Sequence, residues 1–291
     1  MINKKSWGEK IFDSANVIFM ILLAITMLYP FIYLLNLSLS SPEGALKGGF
    51  FLIPNGFSTA AYERVLTSVS IWNAFKNSIL VTVSGTICSV FLTATMAYSL
   101  SKKFLPGKTV FTLMVVFTML FSGGIIPTYL VVKNLGLMNS RLALIMPTLI
   151  MPFNLIITRN FFQNMPDELE EAATIDGAGT YRIFFQIVFP LSLPVIATIS
   201  LWYAVMYWND FFLCLIYIQE RSKIVLQLLL REIVMLSQVS EFLPGAEEDT
   251  VDVPEAVKAA TIIVATLPIL FVYPFIQKYF VKGVMVGSLK G

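Results

Sequence analysis

The sequence contains no histidine. That removes imidazole-based triads, HExxH zinc sites and histidine proton relays together. Charge is scarce too. Only 13% of residues are Asp, Glu, Lys or Arg, about half the roughly 25% of a soluble domain. The formal net charge is +2, which offers no footprint for nucleic acid. The two cysteines, Cys88 and Cys214, lie far apart in apolar stretches. They read as plain buried residues rather than a disulfide or a metal pair. No metal site and no cofactor are expected. What is abundant is apolar: 57% of 291 residues are hydrophobic, and the mean hydropathy is +0.78. A soluble core of this size needs far fewer apolar residues, so the surface is expected to face lipid.

A bilayer core takes about 20 apolar residues per helix. Six stretches qualify: Ala15–Leu37, Ile79–Leu100, Val110–Val132, Leu142–Phe162, Leu191–Leu213 and Ala259–Phe280. The first follows Lys4, Lys5 and Lys10 like a signal peptide, but its apolar run is too long and no A-x-A site follows, so it reads as an uncleaved helix. The basic residues Lys102, Lys103, Lys108, Arg159, Arg182, Lys278, Lys282 and Lys290 cluster at helix ends, and SKKFLPGK is the clearest marker. The positive-inside rule then places both termini and the 163–190 loop in the cytoplasm of a multi-pass cell-membrane protein. The expected layout is a cytoplasmic N-terminus (1–14), a first transmembrane helix (15–37), an external segment (38–78), a transmembrane core (79–280) and a cytoplasmic tail (281–291). The core includes an external segment over 214–258. SKIVLQLLLREIVMLSQVSE carries Arg231 and Glu232 at its centre. Charges there are costly in lipid, so it reads as an external helix followed by the acidic loop PGAEEDTVDVPE.

Between spans four and five runs EAATIDGAGTYRIFFQIVFPLSLP, preceded by Asp167, Glu168 and Glu170. Asn164 or Asp167 can cap a helix, and the acids suit its positive end. Gly177 and Gly179 end it, and Thr180 can cap a second short helix over Tyr181–Phe189. Small residues at Ala172, Ala173, Gly177, Ala178 and Gly179 permit close approach by another protein. A solvated linker is the rival reading.

The spacing E-A-A, three residues, G, nine residues, I, one residue, L-P resembles the signature loop of ABC-importer permeases. Glu171, Ala172, Ala173, Gly177, Ile187 and Pro190 match, while Phe189 stands where the pattern prefers Leu. PTYLVVKNLGLMNSRLALIMP, Trp208-Asn209 and KGVMVGSLKG resemble the carbohydrate-uptake permeases of the maltose-transporter type, and within them the YtcP/LplC-like members of Gram-positive bacteria. The resemblance runs over nearly the whole chain. It implies an all-α polytopic membrane protein with six transmembrane helices in the type I ABC-importer (MetI-like) fold. It also implies a second permease subunit as heterodimer partner, an ABC ATPase dimer on the cytoplasmic face, and an extracellular solute-binding lipoprotein that delivers a sugar or oligosaccharide. Glu171, Ala172, Ala173, Asp176, Gly177, Ala178, Ile187 and Pro190 are then the ATPase-coupling residues, and from its charge alone Glu171 is expected to pair with a basic group of the ATPase.

The chain is not expected to be an enzyme. LPGKT looks like part of a P-loop, but Lys102 stands where the pattern needs glycine. For the substrate pathway, two places offer themselves. Span three is interrupted at Ser122-Gly123-Gly124 and Pro127, a pointer to a route or a tolerated kink. Span five brings Tyr203, Tyr207, Trp208, Asn209 and Asp210 together near its outer end, as a sugar-binding lining or an interfacial aromatic belt. A secondary transporter driven by an ion gradient is the alternative function. It predicts an acid deep in a span and often an inverted repeat, and neither is evident.

Overall fold

The computed structural model describes residues 7–47, 49, 52–242 and 254–288, with side chains through residue 235 and again over 254–271. Lys4 and Lys5, most of the PGAEEDTVDVPE loop and the last three residues lie outside the described residues. The described chain is helical, and its only β pairing is a bridge between Ser40 and Phe57. In order, the helices are α1 (Trp7–Ser38), α2 (Pro42–Leu46), α3 (Ala60–Thr67), α4 (Val69–Ser101), α5 (Lys108–Leu120), α6 (Ile125–Asn134) and α7 (Pro152–Gln163). Then come α8 (Glu168–Ile175), α9 (Thr180–Ile183), α10 (Phe189–Leu191), α11 (Leu193–Asn209), α12 (Phe212–Tyr217), α13 (Leu226–Phe242) and α14 (Glu255–Ser288).

Two helices, α1 and α4, are each long and apolar enough to cross a membrane. Three further stretches are bent: α5 to α6 by 116°, Arg141–Thr148 to α7 by 53°, and Thr180–Leu191 to α11 by 81°. Counting each bent pair as one span gives up to five among the described residues. The sixth expected span falls in α14, which runs for 34 residues. α14 reaches Ser288, so most of KGVMVGSLKG is helical, where its glycines would also permit an extended path.

The breaks have local causes. Gly124 adopts φ 85° and ψ 177°, a region essentially reserved for glycine. The expected kink is therefore a full break at Phe121–Gly124, not a bend within one helix. Ahead of α10 the backbone loosens into a π segment, Phe184–Val188. Pro190 has no N–H to close the helical bond one turn back, and the register slips there.

The chain divides into two units, residues 1–68 with 232–266, and 69–231 with 267–291. In the first, Ser38 Oγ and Tyr62 Oη share a hydrogen bond of 2.7 Å. The Ser40 hydroxyl accepts from the Asn55 N–H at 3.0 Å. α1 displays large apolar side chains along almost its whole length.

The core of the second unit is α4 packed on α7 and α11. One face of α4 is small: Ala74, Ser78, Val81, Gly85, Ser89, Thr93 and Ala97 are all buried. In lipid, small faces of this kind let helix backbones approach closely. At one end of α4, buried Asn77 donates to the Ser222 and Ile224 carbonyls at 2.8 and 3.0 Å and accepts from Arg141 Nε at 3.1 Å. Cys214 is buried, but Cys88 is exposed on α4, contrary to the expectation that both would be interior. α4 turns its other face outward there, with Ile87 and Phe91 also exposed.

Candidate functional site

The EAA stretch forms the expected elbow. α8 carries Glu168, Glu170 and Glu171 in its first turn. Gly177 ends it with φ 79°. The Gly177 N–H then donates to the Thr174 carbonyl at 3.0 Å, and the Ala178 N–H to Ala173 at 2.9 Å. This is a Schellman closure, which needs a residue free to turn left-handed at Gly177.

The caps differ from the sequence reading. Asn164 closes the end of α7 rather than starting α8. Asp167 stands at the N-cap position of α8, but its backbone is helical and its side chain caps nothing. The carboxylate instead accepts from Lys103 Nζ at 2.5 Å. That bond and the Lys103 charge hold the Asp167 carboxyl below the usual carboxylate range. Asp167 in turn holds the Lys103 ammonium above its ordinary value. Glu170 is engaged as well, by Lys102 Nζ and by Tyr98 Oη at 3.2 Å. Gly179, not Thr180, occupies the N-cap position of α9.

The eight coupling candidates differ in exposure. Glu171, Ala172, Asp176, Gly177 and Pro190 are exposed, Ala178 and Ile187 are half-buried, and Ala173 is buried. The Glu171 carboxylate makes no hydrogen bond or ion pair among the described residues. Two residues passed over in the sequence stand out beside them. Ile175 is 87% exposed and Tyr181 84% exposed, on either side of the Gly177 turn. The available signal was an apolar residue at each edge of a polar elbow.

The pathway candidates separate. Tyr203 is fully buried and Tyr207 nearly so, with rings stacked at 6.4 Å. The Tyr207 hydroxyl donates to the Ile145 carbonyl at 3.4 Å and pairs with Ser89 at 2.8 Å. Trp208 is also buried, edge-on to Phe75 at 5.9 Å. Asn209 is exposed and donates to the Val205 carbonyl at 2.9 Å. Asp210 stops α11 and accepts from the Phe212 and Leu213 N–H groups at 3.1 and 3.2 Å, which starts α12. Gly123, Gly124 and Pro127 lie on a different, exposed segment. Within α11 and its end, Tyr203, Tyr207 and Trp208 are thus buried, Asp210 is half-buried and Asn209 is exposed.

Among the described residues no group of acids or cysteines could hold a metal ion. Residues 89–286 match the family described as the inner membrane component of binding-protein-dependent transport systems. The chain belongs to this family. The permease is 47% identical over 288 residues to the polygalacturonan/rhamnogalacturonan transport system permease protein YtcP of Bacillus subtilis (strain 168), covering 97% of this chain and 99% of that one. It is 44% identical to Protein LplC of the same organism over 282 residues, covering 97% and 96%. It also superposes on a chain from the crystal structure of a bacterial ABC transporter involved in import of the acidic polysaccharide alginate. The TM-score there is 0.88 at 34% identity, covering 95% of this permease and 99% of that chain. The permease is thus an all-helical inner-membrane component of an ABC importer with the fold of its family. Such a system implies a solute-binding protein, an ATPase and a second permease.

Proposed function

We propose that the permease forms half of the translocation route for an oligosaccharide, and that the α8–α9 elbow docks on the ATPase. The observation that carries this is the exposed rim of the elbow. Ile175, Gly177 and Tyr181 project beside a Glu171 carboxylate that feels the Lys103 charge but makes no hydrogen bond or ion pair among the described residues. An apolar pair around a tight turn suits a cleft, and a free acid suits a basic partner group. Glu171, Ala172, Asp176, Gly177, Ala178 and Pro190 form the contact, with Ala173 and Ile187 supporting it from within. Closure of the ATPase dimer then drives the spans between inward- and outward-facing states.

In this reading six helices cross the cell membrane, both termini are cytoplasmic, and the 38–78 and 214–258 segments face the lipid-anchored binding protein. Layout over 1–14, 15–37, 79–280 and 281–291 follows the same scheme. The partner permease is a different chain, and the sugar is acidic, in keeping with the substrates named for two of the relatives. Asn209, Asp210 and the Gly123–Pro127 break are the parts of the pathway set open to solute. Tyr203, Tyr207 and Trp208 support them from behind.

The test is gentle purification of the tagged permease, wild type and Glu171→Lys/Gly177→Asp, from its native membrane. We expect the wild type to bring down an ATPase, a second permease and a binding protein. The variant is expected to insert, yet to lose the ATPase and uptake. Unchanged association would remove the docking reading.

A further inference from the structure

α8 is attached to its unit with very little apolar packing. Ala173 is its only buried side chain. Asp167 just before α8, and Glu170, Glu171, Thr174 and Ile175 on it, border an open pocket of about 860 Å³, and Lys102, Lys103 and Lys108 border the same pocket. Along the chain the link to α9 is soft as well. A Cβ placed at Gly177 or Gly179 would meet nothing within 4 Å, so no side chain packs on the turn, which only its own backbone hydrogen bonds close. A push on α8 therefore needs another stiff path into the helices.

Polar contacts supply one. The Glu170 carboxylate takes both Lys102 Nζ and the Tyr98 hydroxyl. Lys102 Nζ sits 4.0 Å from the centre of the Tyr98 ring, a cation–π contact that fixes the ammonium. Tyr98 is buried, with its ring 5.0 Å from Phe184 and 6.2 Å from Phe162. The side chains of Lys102 and Glu170 are only 17% and 28% exposed, against 82% and 65% for Lys103 and Asp167. Water screens the outer pair, and such pairs contribute little. The inner group is shielded, charge-assisted and anchored on α4 itself.

We propose that Glu170 and Lys102, seated on Tyr98, are the positioning link that carries displacement of α8 into α4. The inference rests on the reading of α8 as the docking element. It assigns Glu170 away from the ATPase, although Glu170 stands next to Glu171 in the signature loop.

The experiment uses the assembled importer in lipid discs. One spin label is placed on native Cys88 of α4 and a second on Glu168→Cys of α8. Cys214 is fully buried and stays unlabelled. In the otherwise native chain the distance is expected to stay constant when ATP and vanadate are added, because the helices move together. In Lys102→Gln and in Glu170→Gln it should shift and broaden, while ATPase association and hydrolysis persist. The charge swap Lys102→Glu/Glu170→Lys should restore the constant distance. If the swap does not insert, Tyr98→Phe gives the readout, and a shifted distance with association intact supports the link.

Constant distances in the neutral variants overturn the proposal, and so does a swap that inserts without restoring them. Loss of ATPase association on Glu170→Gln alone would make Glu170 a docking residue, which overturns the link but leaves the docking reading standing. Absence of an ATPase from the wild-type complex would remove both.

Discussion

The Tyr203 hydroxyl accepts the Met151 backbone N–H at 2.9 Å. Met151 lies in the bend between Arg141–Thr148 and α7, where the helical ladder is interrupted. Backbone groups freed at a break inside a membrane must find partners within the protein. Tyr203 supplies one from α11 and shares a second hydrogen bond of 2.8 Å with Thr93 of α4. Tyr207 does the same one turn on, for the Ile145 carbonyl and Ser89. The two tyrosines thereby join three segments of the second unit.

Tyr203→Phe is expected to destabilise the permease by about 1–2 kcal/mol, because it leaves the half-buried Met151 N–H and the buried Thr93 hydroxyl short of a partner. Unfolding in mixed detergent measures this. Asn209→Ala, at an exposed site, should leave stability unchanged. Equal effects for the two would mean that Tyr203 does not close the break.

Gly85→Ala tests the close packing of α4 on α11. A Cβ at Gly85 would come within 2.8 Å of the Tyr207 ring. The ring is held by its two hydrogen bonds and cannot swing aside freely. Overpacking of this kind costs about 1–3 kcal/mol. A lowered melting temperature is expected, and wild-type melting would show that the helices separate easily.

The Lys103–Asp167 pair makes a prediction about pH. Asp167 has a depressed pKa, so its contribution is present above the free carboxylate value of about 3.9 and is lost as pH falls through its lower folded value. Lys103 has a raised pKa, so its contribution is present below about 10.4 and is lost as pH rises through its higher folded value. Both directions follow first from their mutual hydrogen bond. The small difference in melting between Lys103→Ala and wild type should therefore be the same at about pH 5.5 and 8.5, and should shrink below about pH 4. A difference that changes between the first two values would mean that another titrating group controls this contact.

Several features were legible without coordinates. The EAA spacing marked the elbow, Gly177 marked its end, and Ser122-Gly123-Gly124 marked the break in the third span. These are local: each depends on what a few neighbouring residues can do with their own backbone. The partners of the acids were not legible. Asp167 and Glu170 look like helix-dipole residues in the sequence, and Lys102 and Lys103 like charges that orient a loop. Pairing joins residues more than 60 positions apart, which no local pattern encodes. The burial of Tyr203 and Tyr207 between helices was not legible either, for a related reason. Helical spacing says which side chains share a face, but not whether that face meets a cavity or another helix.

By itself the sequence determined that this is a membrane permease with a signature loop. Scarce charge, absent histidine and long apolar runs leave few other solutions, and the loop's residue spacing is specific to its family. Only the tertiary structure decided which acids of the loop are free. It ties Asp167 and Glu170 to the lysines after α4 and leaves Glu171, Ile175 and Tyr181 open, because the end of α4 is brought beside α8 only when the helices pack.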